Sequence, residues 1–270
     1  GENMTTGDYN VAIGYAAGDV LTGDGNNNIA IGKNAIGTTT VAVSDCIGIG
    51  RAALGTAMTG TSTNNLAIGA ESGTSITSGT QNVLIGHQAG SAIVDDSYNT
   101  ALGYNALKGA TSGNYNVAIG ASAMPGAVTA ASNVAVGSLA LASASGAMTQ
   151  NTAIGTTALN NINHADADGN VAVGESAGSK YETTPGSAPS PDGNLTQALN
   201  SIYIGKGSCG IHASTADNEI VIGYNAVGNG VDSFTLGNAS TAALHCADTS
   251  IAALSDKRIK RDINDNAVGL

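Results

Sequence analysis

Large and small hydrophobic residues alternate along this chain in bursts of three, and each burst is closed by a glycine. "NVAIG" at residues 10–14 returns as "NIAIG" from Asn28, "NVAIG" from Asn116 and "NVAVG" from Asn170. Aligned on their glycine there are thirteen copies: Gly14, Gly32, Gly50, Gly69, Gly86, Gly103, Gly120, Gly137, Gly155, Gly174, Gly205, Gly223 and Gly237. The successive intervals are 18, 18, 19, 17, 17, 17, 17, 18, 19, 31, 18 and 14 residues. A period of that size belongs to a solenoid, in which each repeat is one coil stacked on the next.

The residue before each glycine is always Ile, Val or Leu. The residue three before it is apolar except at Thr100 and Thr152, and the one between is usually Ala. Alternation with period two predicts a short strand. Its large side chains are expected to point into the coil, each contributing roughly 1.5–3 kcal/mol by burial, while Ala on the opposite face lets another layer approach. The glycine is expected at a corner that needs positive φ or room for neighbouring backbone. Asn stands four before the glycine in nine copies, where its amide can bond the turn or stack as a ladder with the Asn above and below. Cys46, Ser201, Glu219 and Ser233 replace it elsewhere. Between blocks, Leu21, Met58, Ile76, Ile93 and Ile162 mark an expected second strand of each coil, followed by outer loops. Strands about 4.8 Å apart predict a rod on the order of 60 Å long. The exposed Ala-lined side predicts several rods packed around an axis.

Composition supports a thin core: of 270 residues 38 are Gly, one is Phe and none is Trp. The formal charge of −11 argues against nucleic acid as a partner. No apolar run approaches the ~20 residues that cross a bilayer, so no membrane insertion is expected. The first residues lack the pattern of a signal peptide, and without an initial Met the chain reads as a piece of something longer. Cys46, Cys209 and Cys246 lack metal-ligand spacing and read as reduced, with a cross-link between chains as the alternative.

The block N-apolar-Ala-Ile-Gly-x-x-Ala resembles the head repeat of trimeric autotransporter adhesins and the similar repeats of trimeric bacteriophage tail fibres. The resemblance covers about residues 10–240. It implies an all-β fold, a left-handed parallel β-roll or β-solenoid of about 13 coils, with three chains side by side as a parallel homotrimer. This period is longer than the bacterial one, and the chain shows neither a heptad stalk nor a membrane anchor. Near the end, "LSDKRIKRDI" from Leu254 to Ile263 resembles the opening of the C-terminal intramolecular chaperone of endosialidase-type phage tailspikes and fibres. That family trimerises, assists fibre folding and cuts itself free after the motif's Ser. Carried over, the cut falls between Ser255 and Asp256, with Ser255 and Lys260 as the self-cleaving pair. A Lys partly desolvated beside a Ser is a plausible base for it. Fifteen residues follow Ser255, too few for the complete chaperone, so autocleavage is expected only where the complete domain follows.

Other chemistry reads weakly. "HADADGN" at residues 164–170 and "TGDGNNN" at residues 22–28 place carboxylates as a calcium loop does, but neither supplies a full set of oxygens. Asp95 and Asp96 form a carboxylate pair, yet neighbours on a strand face opposite sides and no aromatic sugar platform accompanies them. His87, His164, His212 and His245 read as occupying unrelated repeat positions. No metal, cofactor or enzyme activity is therefore expected. Tyr98 and Tyr115, five before a repeat glycine in successive coils, are expected as neighbours, with Tyr104 a strand-length away; the three are candidate receptor contacts.

The organisation expected is solenoid repeats over 1–178, a Pro-rich loop insertion over 179–200, final coils over 201–244, and over 245–270 a linker with the truncated chaperone start. The combined reading is a rigid trimeric segment of a phage tail fibre, made in the bacterial cytoplasm and placed on the virion. It joins other virion tail proteins and presents surfaces that bind a host cell-surface receptor, glycan or protein. The alternatives are a bacterial trimeric adhesin head, an ice-binding solenoid, which the scattered Thr disfavour, and a polysaccharide-cleaving enzyme.

Overall fold

The computed structural model describes residues 7–19, 25–37, 43–55, 58–59, 62–110, 112–126, 129–143, 146–164, 166–180, 195–211 and 216–241. The chain divides into two compact units, Gly1–Ala239 and Ser240–Leu270, and the solenoid lies in the first. Each repeat block forms one three-residue strand. In chain order these are β1 (Val11–Ile13), β2 (Ile29–Ile31), β3 (Ile47–Ile49), β4 (Leu66–Ile68), β5 (Val83–Ile85), β6 (Thr100–Leu102) and β7 (Val117–Ile119). They continue with β8 (Val134–Val136), β9 (Thr152–Ile154), β10 (Val171–Val173), β12 (Ile202–Ile204), β14 (Ile220–Ile222) and β15 (Phe234–Leu236). All thirteen pair in parallel in that order as one sheet. Register follows the repeat, so that Val117, Ala118 and Ile119 lie on Val134, Ala135 and Val136. The fold is therefore an all-β parallel solenoid.

The direction of the side chains reverses the sequence expectation. The middle residue of the strand, usually Ala, points into the coil and is buried, as at Ala30, Ala67, Ala101, Ala118, Ala135 and Ala153. The large residues on either side point outward and are half-buried or exposed. The reason is width. Counting from the repeat glycine, the opposite wall presents a small residue at position +3 and a large one at +4, and both are buried. Ile36, Leu54, Leu107, Met124, Leu141 and Leu159 at +4 fill the space that Ala at −2 leaves.

Volumes at these two positions trade against each other. Strand β5 carries Leu84 at −2, and both adjacent +4 positions are then glycine. A Cβ on Gly73 would lie 2.8 Å from one Leu84 methyl, and on Gly90 2.6 Å from the other. Likewise Tyr203 at −2 faces Gly178, whose Cβ would stand 2.8 Å from the ring. Conversely β3 has Gly48 at −2, where a Cβ would meet Ile36 at 2.9 Å. Interiors packed at crystal-like density require such matching.

Among the described residues, a second strand in every coil is not found. Met58, Ile76, Ile93 and Ile162 are buried as expected but sit outside strands; Leu21 lies outside the described residues. Beyond the main sheet the described residues include β11 (Ala198–Leu199) and β13 (Ala216–Asp217), which pair in parallel, and the isolated bridges Ala131–Thr149 and Cys209–Val227. Turns, bends and irregular segments make up the other described residues, and they use the left-handed backbone region freely. Leu54 at φ 50°, Leu107 at φ 52° and Ile36 at φ 45° hold it at position +4. That costs roughly 1–2 kcal/mol each, which burial of the side chain, at roughly 1.5–3 kcal/mol, offsets.

The repeat glycines need both properties expected of them. Gly120 has φ 131°, and a Cβ there would lie 2.6 Å from the Gly137 carbonyl of the next coil. Asn at −4 builds a buried ladder. Asn116 donates its backbone N–H (3.0 Å) and side-chain Nδ2 (3.2 Å) to Oδ1 of Asn99, and Nδ2 also donates to the Ala130 carbonyl at 2.7 Å. The next rung repeats this, with Asn133 donating to Asn116 Oδ1.

Within the long interval after Gly174, the described residues that flank 181–194 lie against each other. The Leu195 N–H donates to the Ser179 carbonyl at 3.3 Å. Leu195 and Ala198 are already buried in the solenoid, inside the span that the sequence assigns to the loop.

Candidate functional site

The outward face of the thirteen-stranded sheet is unusually apolar among the described residues. Two aliphatic columns run along it, one from position −3 and one from −1. Their members include Val83, Leu102 (45% exposed), Ile154 (41%), Val173, Ile204 and Leu236. Apolar surface of this extent on one face is the mark of an interaction surface.

Aromatic residues flank the columns. At position −5 stand Tyr9, Tyr98 and Tyr115, with φ of 61°, 63° and 62°. Other coils place Asn27, Asn64, Asn200 or Asn218 there, residues suited to that backbone. The Tyr98 and Tyr115 rings stack with centroids 4.9 Å apart and planes 8° apart, and both are about half exposed. Their corners are pinned at the residue before. Ser97 Oγ accepts the Thr80 N–H at 2.9 Å, and Asn114 Oδ1 accepts the Ser97 N–H at 2.6 Å. At position +1, Tyr104 stacks on His87 with centroids 5.5 Å apart, and Lys33 lies over Tyr15 at 5.8 Å. His87 shares a repeat position with Tyr104; both directly follow a repeat glycine in successive coils.

Charge on the neighbouring turns is paired. Arg51 bridges Glu71 at 2.6 Å and Gln88 donates to it at 2.8 Å; the Gln88 bond and then the arginine hold the Glu71 carboxyl below its usual range. Lys206 bridges Glu175 at 2.9 Å, which raises the lysine. Asp95 and Asp96 lie in a turn and not on a strand, with Asp95 exposed and Asp96 buried. Inside the late coils, Glu219 replaces the ladder Asn and is fully buried. It accepts the Tyr203 O–H at 3.2 Å and the Gly230 N–H at 3.0 Å. Burial, and then the Glu219 charge, push the Tyr203 phenol well above its usual range. Cys46 and Cys209 are buried cysteines in no disulfide, and burial pushes the Cys46 thiol up to about 11.

In "HADADGN" His164 and Asp166 approach to 3.6 Å, while Asp168 accepts the Thr149 N–H at 2.5 Å. Among the described residues no three His, Cys, Asp or Glu side chains gather as a metal site. None of the described residues forms a helix long and apolar enough to cross a membrane. Ser255, Asp256, Lys260, Cys246, His212 and His245 lie outside the described residues. Comparison with family models, curated proteins and solved structures returns no match.

Proposed function

We propose that this chain is a rigid segment of a bacteriophage tail fibre, a left-handed solenoid of thirteen coils. Three copies run parallel and carry receptor-binding surfaces away from the virion. The observation that supports this best is the double aliphatic column on the outer face of the sheet. In a single chain those side chains meet water; with three copies around an axis they meet one another, each gaining the ~25 cal/mol per Å² of apolar burial. Parallel coils supply stiffness, and threefold repetition multiplies weak contacts by the other, exposed parts of each coil. The stacked Tyr98 and Tyr115, and Tyr104 on His87, are the surface elements assigned to the host receptor. The exposed flat rings of Tyr98 and Tyr115, held on left-handed backbone, are what a contact surface retains against the preference of the turn.

Light scattering of the purified native protein tests the assembly: a mass near three chains is expected, and a stable monomer would remove the reason for the apolar face. The receptor role is tested by adding the protein to candidate host cells. Saturable binding that falls at least tenfold with the Tyr98→Ser, Tyr115→Ser double variant supports it.

A further inference from the structure

The Asn ladder fails at one rung. At Asn82, Asn116, Asn133 and Asn151 the side-chain Nδ2 donates both to the preceding ladder Oδ1 and to a carbonyl of the following coil. Asn99 Nδ2 is buried and has no partner. In the same coil, three residues before it, Asp96 is 4% exposed and its Oδ2 is also without a partner.

The coil two earlier has the same layout with a different residue. Ser62 occupies the position of Asp96, seven before the repeat glycine, and Asn65 that of Asn99. Ser62 Oγ donates to the Gly79 carbonyl at 2.9 Å and accepts Asn65 Nδ2 at 3.1 Å. A hydroxyl hydrogen at this position therefore has an acceptor in the next coil. An ionised carboxylate has no hydrogen to offer, and a buried oxygen facing no donor makes its charge costly.

We propose that Asp96 is a neutral acid in the folded coil, its proton in the place of the Ser62 hydroxyl hydrogen, so that acid tightens and alkali loosens the coil that carries Tyr98. Its surroundings agree. The preceding coil gives it Gly79 and Asn82, which donates to the Asp96 carbonyl at 2.8 Å, and the following coil gives it the Gly113 N–H. None of these ionises; Asp95 on its own turn is the charged group acting on it, and like charge favours the neutral form. Desolvation, chiefly, raises the Asp96 carboxyl above its usual value. A carboxyl raised on folding stabilises fully below the unfolded value, and that stability is lost as pH rises through the folded value.

The test follows the Asp96 carboxyl carbon by NMR through a pH titration of the native protein, with melting of wild type, Asp96→Asn and Asp96→Ser. Asp96 is expected to titrate above the ordinary carboxylate range. The difference in melting temperature between Asp96→Asn and wild type is expected to grow in favour of the variant as pH rises through that midpoint. Asp96→Ser, which copies the Ser62 coil, should lose the same pH dependence. Titration in the ordinary range, as for an ionised Asp96 bridged to Asn99 by a water, overturns the proposal. So does a pH profile that both variants share with wild type.

Discussion

At the scale of single residues, two positions bear most of the fold's specificity. Gly120→Ala places a Cβ against the Gly137 backbone at a φ open to glycine alone, and backbone cannot move aside as a side chain does. A loss of at least ~3 kcal/mol is expected in denaturant melts. Asn116→Ala removes bonds to Asn99 and Ala130 and leaves the buried Asn133 donors without their oxygen. About 2 kcal/mol is expected, against a change within ~0.5 kcal/mol for the exposed Asn64→Gly, which keeps the left-handed backbone there. Both positions were legible, because Gly and Asn are chosen for backbone reasons that no neighbour alters. The inward direction of Ala was not. Period-two alternation says that two faces differ, and a strand of three residues does not say which is inside. The deciding signal was the small residue at +3 and the large one at +4, a pair the strand pattern does not contain.

Within and between coils, packing works by exchange. Leu84→Ala opens a cavity between Gly73 and Gly90 and is expected to cost about 2–4 kcal/mol. Gly90→Leu alone drives a side chain into Leu84. Combined, they recreate the Ala101 and Leu107 arrangement, and a double-mutant cycle is expected to show a coupling of about 1–3 kcal/mol in favour of the pair. The exchange was readable once the coils were aligned, since the two largest residues at −2, Leu84 and Tyr203, coincide with Gly73 and Gly178 at +4 in the coil before them. The insertion belongs to this scale too. Because Leu195 bonds Ser179, joining Lys180 to Leu195 restores a 17-residue interval between Gly174 and Gly205. That deletion is expected to change the melting temperature by less than ~3 °C.

For the molecule as a unit, the aliphatic columns separate folding from assembly. Ile154→Lys sits on the outer face, so a lone chain keeps its core, while three chains would have to bury a charge at their contact. Light scattering is expected to report one chain mass with the circular dichroism of the coil retained. The double column itself was visible in the sequence as Ile, Val and Leu flanking Ala. Its role as outer surface became legible only with the side-chain direction. The matched volumes carry a further consequence, for inheritance. A gene built of near-identical units loses them readily by recombination between copies. Excision of residues 104–120 would join Ala101 to Met124, small against large, and leave an acceptable interior. Excision of residues 87–103 would join Leu84 to Leu107, two large side chains competing for one space. Lineages of this repeat can therefore shorten at some junctions and not at others, and the permitted lengths are written in which coils carry glycine opposite a large neighbour.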